Sequence, residues 1–182
     1  MSGPNIFVPE DDFAPPSREP LPSGRYLGDI GEFAVRANDN GWEGINFSLA
    51  NLTTPDGATV VTNGAGPAFQ LAGRRKFQTF TFANEHSAQA TAIGQRNLIQ
   101  LAEALGRDDL YEVVEEGGKQ GRRLATETAA DLVAGLSGST GARIAFAVKQ
   151  KPRMDRATKT PAMGEDGEAI IDDEVTRVWG AA

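Results

Sequence analysis

One segment, "SAQATAIGQRNLIQLAEALG" from Ser87 to Gly106, carries a sustained helical period, and its place in the chain constrains the fold more than any other feature. Ala90, Ile93/Gly94, Asn97/Leu98, Leu101/Ala102 and Leu105 recur every three or four residues, which puts them on one helical face. Ser87 stands where an N-cap accepts an orphan backbone N–H, and Gly106 where a left-handed residue stops the helix. Three strand-like segments precede this helix and two follow it. Five strands with a helix between the third and fourth is the connectivity of an OB-fold, a Greek-key barrel whose helix plugs one end. The expected fold class is therefore mainly β, with one or two helices. Other small α+β folds share this order.

The strands are read from their alternation. In "SGRYLGDIGEFAVRA", Tyr26, Gly28 and Ile30 share one parity, while Phe33, Val35 and Ala37 share the other. The phase slips by one near Gly31, the mark of a β-bulge in a long curved first strand. "NDNG" (Asn38 to Gly41) is a turn, followed by a second strand with Ile45, Phe47 and Leu49 on its apolar parity. "TTPDG" is another turn, Val60-Val61 a short strand, and Asn63 to Pro67 a loop. Arg74 to Phe82 forms the third main strand. A second, Ala-rich helix is expected over Thr126 to Leu136, with "EEGGKQGRR" before it as a charged flexible loop. "GARIAFAVKQKPR" sets Ile144, Phe146 and Val148 against a polar parity, and "AIIDDEVTRVWG" closes the chain as a strand.

At 182 residues the chain supports one domain with a real core. Residues 1–23 hold six of the ten prolines and read as an extended, poorly ordered arm; residues 24–182 form the domain. No cysteine is present, which excludes disulfides, zinc knuckles and thiol nucleophiles, and the single histidine, His86, makes a histidine relay unpromising. There is no signal peptide or membrane-spanning run, so an intracellular protein without membrane attachment is expected.

Enzyme motifs are missing. There is no P-loop, paired-histidine zinc motif, nucleophile elbow or dinucleotide fingerprint, so neither a cofactor nor a catalytic residue is assigned. "GLSGSTG" (Gly135 to Gly141) lacks the Lys-Ser/Thr ending of a phosphate loop and leads into a strand, so it reads as a turn. Asp172, Asp173 and Glu174 read as a solvated acidic edge, although Asp172 and Glu174 share a parity and leave a metal-dependent nuclease in view.

The net charge of −7 argues against a surface that coats nucleic acid everywhere, but the cations are unevenly placed. "RRKFQTFTF" puts Arg74, Arg75 and Lys76 beside three of the nine phenylalanines. From Arg143 to Lys159 six cations, Lys149, Lys151 and Arg153 among them, meet one acid, Asp155. A positive groove with aromatic faces is what a binder of single-stranded nucleic acid needs. The alternation assigns Phe80 and Phe82 to the core and Phe77, beside Arg75, to the surface, the plain alternative being that Phe77 is core as well. Trp42 is the second stacking candidate and Tyr26 a weaker one. The predicted contact set is Arg74, Arg75, Lys76, Phe77, Trp42, Lys149, Lys151 and Arg153.

Several of these segments resemble a family of small bacteriophage proteins encoded near replication and recombination genes. "EPLPSGRYLGDIGEF" resembles that family's opening strand, "LIQLAEALG" its helix, and "GARIAFAVKQKP" with the strand ending in Trp179 its last two strands. The likeness spans residues 18–180, interrupted by an apparent insertion at 108–139. It implies an OB-fold protein that binds single-stranded DNA without sequence preference in the cytoplasm of a host bacterium. Phage replication or recombination proteins, or further copies of the chain, would be its partners. A structural or assembly protein, a virion component or adaptor without nucleic-acid binding, is the competing expectation, motivated by the acidic total, the proline-rich arm and the glycine-rich loops.

Overall fold

The computed structural model describes residues 19–62 and 67–181. The first strand is one long strand broken in two. β1 (Gly24–Ile30) and β2 (Ala34–Ala37) both pair antiparallel with the same partner, β3 (Trp42–Thr53). From Ile30 to Ala34 the chain advances four residues while its partner, from Leu49 to Asn46, advances three. That extra residue is the bulge expected near Gly31, and Phe33 accordingly turns inward. A second irregularity falls between Leu27 and Asp29, opposite Asn51, whose φ is 51°. Its amide Nδ2 donates to Asp29 Oδ2 at 2.9 Å.

Beyond β3, the pair β4 (Val60–Val61) and β5 (Phe69–Gln70) forms a small separate ladder. β6 (Lys76–Asn84) then returns along the free edge of β3. Helix α1 (Ala88–Ala104) follows, with Ser87 Oγ accepting from Ala90 N and Gly106 left-handed at φ 69°. Arg107 N donates to Ala102 O and Gly106 N to Glu103 O, a paired C-terminal closure. The buried stripe is Gly94, Leu98, Ile99, Leu101 and Ala102; Ile93, expected on it, is exposed. Gly94 explains the shift. A Cβ there would lie 2.0 Å from Thr81 O, so the helix presses its backbone onto β6 at this point.

Residues 108–139 pack onto the same core through Leu110, Leu124, Ala129, Leu132 and Leu136. The segment expected as a flexible loop is instead a hairpin, β7 (Tyr111–Glu116) and β8 (Lys119–Leu124). Gly117 and Gly118, at φ 58° and 75°, supply the two positive-φ residues its tight turn requires. Helix α2 (Ala129–Ser137) begins three residues later than expected because Thr128 caps it, accepting from Asp131 N. Gly135–Gly141 is the end of α2 and a turn. β9 (Arg143–Pro152) and β10 (Ile171–Gly180) complete the sheet.

The protein is thus mainly β with two helices, its main sheet ordered β10–β9–β1–β3, with β2 and β6 both on β3. Among the described residues no backbone ladder joins β6 to β10, so the expected closed five-stranded barrel is not formed. Side chains span the gap instead. Lys76 Nζ donates to Asp173 O and Oδ1, both at 2.8 Å, and Val175 N donates to Gln78 Oε1 at 3.1 Å. Inside the curved sheet, Tyr26, Phe33, Phe47, Phe80 and Phe146 stack in tilted contacts 5.4–5.7 Å apart.

The domain starts earlier than expected. Leu21 and Pro22 are buried; Leu21 N donates to Asp173 Oδ2 at 2.7 Å, and Gln150 Nε2 to Leu21 O at 2.9 Å. Residues 1–18 of the expected arm lie outside the described residues, as do residues 63–66 of the expected loop. Among the described residues, no helix is long and apolar enough to cross a membrane.

Candidate nucleic-acid interface

The outward parity of β3 and β6 is polar for most of its length. Asn46 sits opposite Thr79, Gly44 opposite Thr81, and Ser48 opposite Phe77. Asn46 Nδ2 donates to Thr79 Oγ1 at 2.9 Å. At one end lies the Phe77 ring, 59% exposed. A phenylalanine left this open on a strand forfeits the burial that ordinarily places it in a core. Phe80 and Phe82 are inside, as the alternation predicts.

Phe77 forms one wall of a groove of about 710 Å³ that runs over β3 to the bulge of the first strand. Arg75, Arg36, Asn46, Ser48 and Asn51 line it, with Glu32 and Asp29 on the far rim. Arg75 and Arg36 are exposed and pair with no carboxylate among the described residues. Asp29 is already committed. Arg143 Nη1 donates to its Oδ1 at 2.8 Å, and Arg143 Nη2 reaches Thr53 Oγ1 at 2.8 Å. Partial burial pushes the Asp29 carboxyl up, but the hydrogen bonds from Asn51 and Arg143 and the guanidinium charge outweigh that and hold it below the ordinary aspartate value.

Trp42 shares this face but sits at its other end, about 20 Å from Phe77 by six residues of strand rise. Its indole lies over Gly44, where a Cβ would come within 2.6 Å of the ring, and Nε1 donates to Thr81 Oγ1 at 3.1 Å. One ring face is therefore covered and the orientation is fixed.

The other predicted contacts are arranged differently. Lys76 is only 8% exposed and is the clamp of the seam described above, which removes it from any outer contact surface. Arg74 hydrogen-bonds Glu19 O at 2.9 Å, pairs with Glu19 Oε2 and lies 4.4 Å over the Phe69 ring. It ties down the segment entering β1. Lys151 pairs with Glu174, and Arg153 forms a two-bonded pair with Asp172 at 3.0 and 2.7 Å. Asp172 and Glu174, part-exposed on the edge strand β10, are thus counter-ions to Arg153 and Lys151, each pair running diagonally rather than straight across the ladder. Arg153 holds the Asp172 carboxyl below its ordinary value. Lys149 is exposed and unpaired among the described residues, but it lies on β9, away from the groove. Tyr26 is 1% exposed and donates to Pro22 O at 2.6 Å, so it offers no stacking face. Burial, reinforced by the Asp173 charge, raises its hydroxyl to about 12.

Arg36, Asn46, Ser48 and Asn51 were absent from the predicted set. The polar parity of β3 contained the signal for Asn46 and Ser48; Arg36 and Asn51 depend on how the bulges aim them. Among the described residues, no group of three or more His, Asp or Glu side chains is arranged to hold a metal ion. No protein-family model matches the chain, and no curated protein matches it.

Proposed function

We propose that the protein binds single-stranded nucleic acid, DNA in the first instance, in the groove between Phe77 and the bulged first strand, without reading base sequence. The observation that carries this reading is the open Phe77 ring flanked by Arg75 and faced by Arg36. A base can stack on the ring while the two guanidiniums meet phosphates. Asn46, Ser48 and Asn51 offer hydrogen bonds to the sugar and base edges between them.

The strand order supports an open form of the OB-fold. If β1 and β2 count as one bent strand, the sheet runs third, second, first, fourth, fifth, with α1 between the third and fourth. The outer face of the second and third strands of that fold is where oligonucleotides lie. This agrees with the resemblance to phage replication and recombination proteins.

Fluorescence anisotropy with labelled oligo-dT across a salt series tests the reading. Binding should weaken steeply as salt rises, because each neutralised phosphate releases a counterion. Absence of binding by micromolar protein at low salt would reject it. The pairing of Lys76, Arg143, Lys151 and Arg153 with internal carboxylates favours the competing reading, a structural or assembly protein whose charges serve its own fold. Large oligomers of defined size, formed without nucleic acid and seen by sedimentation, would support that alternative.

A further inference from the structure

A second cationic and aromatic patch lies further along the outward side of the same sheet. On β1 the outward residues are Arg25, Leu27 and Asp29, alternating with buried Tyr26, Gly28 and Ile30. Ladder register carries each across to the neighbouring strands. Asp29 faces Arg143; Leu27 faces Ala145, which faces Trp179; Arg25 faces Ala147, which faces Arg177. Ala145 is sunk between its two large neighbours, and Ala147 leaves a floor between two arginines. The result is a cavity of about 380 Å³ lined by Arg25, Ala147, Arg177 and Trp179.

The Arg25 guanidinium stands 5.9 Å from the Trp179 ring centroid. Lys149, the next outward residue of β9, faces Glu174, which is already paired with Lys151. Among the described residues none of Arg25, Arg177 or Lys149 meets a carboxylate. Glu103, on the neighbouring side of Trp179, is held by Arg122. Two unneutralised arginines at one part-exposed indole, with Lys149 further along the same parity of β9, repeat the joining of cations to a ring found in the Phe77 groove. The two places are joined by the outward row of β1, where Arg25 and Asp29 are about 13 Å apart by strand rise.

We propose that Trp179, with Arg25, Arg177 and Lys149, is a second contact point for single-stranded nucleic acid. A strand leaving the Phe77 groove passes the Asp29–Arg143 pair and stacks a further base on this indole. The proposal rests on the function proposed above and adds a direction and a length to it. An oligomer that fills only the groove leaves Trp179 untouched; a longer one reaches it. Continuity with the groove and the combination of ring with cations favour a nucleic-acid strand over an acidic peptide, which needs the cations but not the ring.

The test uses the full chain carrying Trp42→Phe, which leaves Trp179 as its sole tryptophan. Oligo-dT of about 15 nucleotides should quench Trp179 emission, and oligo-dT of about 4 should bind without doing so. Replacing Arg25 and Arg177 together by Ala should weaken binding of the longer oligomer about ten-fold or more and leave the shorter unchanged. It should also reduce the slope of log affinity against log salt by about 1.4, two phosphate contacts' worth. Both arginines are exposed, and an unchanged melting temperature verifies the fold. Tight binding of the longer oligomer with Trp179 emission unmoved overturns this proposal and spares the Phe77 groove. Failure of both oligomers to bind overturns both proposals. Quenching by polyglutamate and not by oligo-dT overturns it in favour of a peptide dock.

Discussion

The set Arg143, Lys151 and Arg153 and the outer face of β3 and β6 spend their cations in opposite ways. The first belongs to the most basic run of the chain, yet Lys151 and Arg153 meet Glu174 and Asp172 across the ladder, and Arg143 meets Asp29 on β1. The second has only Arg75 and Arg36 in its groove, both unpaired among the described residues, Arg75 next to the open ring in sequence and Arg36 on the groove's other side. A cation whose charge is met by a neighbouring carboxylate offers little to a passing phosphate. Counting charges along a chain therefore measures supply, while pairing in the fold decides what remains available. Two residues in direct sequence make the same point. Lys76 points inward and clamps the seam; Phe77 points outward into solvent.

If Lys76 belongs to the fold and Phe77 to the surface, Lys76→Ala should be the most damaging change considered. Removing one partner leaves Asp173 half-buried without its counter-ion, at a cost of about 3 kcal/mol. Thermal unfolding should show a melting temperature lower by roughly 10 °C. A melting temperature within a degree or two of the parent would mean that the seam is not held by this pair.

The buried Tyr26 hydroxyl gives a second measure of the seam. Its value in the fold, about 12, lies above that of an unfolded tyrosine, so the fold keeps a proton that the unfolded chain gives up. Stability is then unaffected at neutral pH and falls as pH rises from about 10 towards 12, by roughly 2–3 kcal/mol in all. Denaturant titrations at rising pH, set beside the tyrosinate absorbance, should find the midpoint dropping over that window. Tyr26 should ionise late, and its ionisation near 10 would mean that it is not sealed.

Phe77→Ala probes the other region. Stability should change by no more than about 0.5 kcal/mol, since the ring is mostly in solvent. Affinity for oligo-dT should fall by about 1–3 kcal/mol, a base-stacking contact. The reverse pattern, lost stability with affinity intact, would return Phe77 to a structural role. The smallest effects belong to the β9 pairs. Arg153→Ala should hardly alter either stability or oligo-dT affinity, because the pair is open to solvent. Because Arg153 lowers the folded-state value of Asp172, the small stabilisation exists above the unfolded aspartate value and disappears as pH falls below about 4. A large loss of affinity in Arg153→Ala would erase the contrast between the two regions.

Much of this arrangement could be read from local pattern. Alternation placed Ile45, Phe47, Leu49, Phe80, Phe82, Ile144, Phe146 and Val148 inside, and each is buried. It also placed Phe77 outside. The caps of α1 at Ser87 and Gly106 and the slip near Gly31 were legible because each depends on one or two adjacent residues. The β7–β8 hairpin was equally legible in its Gly117-Gly118 pair between two six-residue runs, but the surrounding charge masked it. What could not be read were relations across long sequence separations. Lys76 with Asp173, Gln78 with Val175, Arg25 with Trp179, and Gly94 with Thr81 are contacts whose existence depends on how the sheet curves.

The sequence by itself determined which residues lie on which parity of each strand and where the helices are capped, since those outcomes follow from periods and turn chemistry within a few residues. The tertiary structure alone decided which cations are neutralised and that the sheet is bridged by side chains between β6 and β10. The physical reason is range. Side-chain direction is set by the local backbone, whereas the partner a charged group finds is set by register and curvature that bring residues some hundred positions apart to within 3 Å.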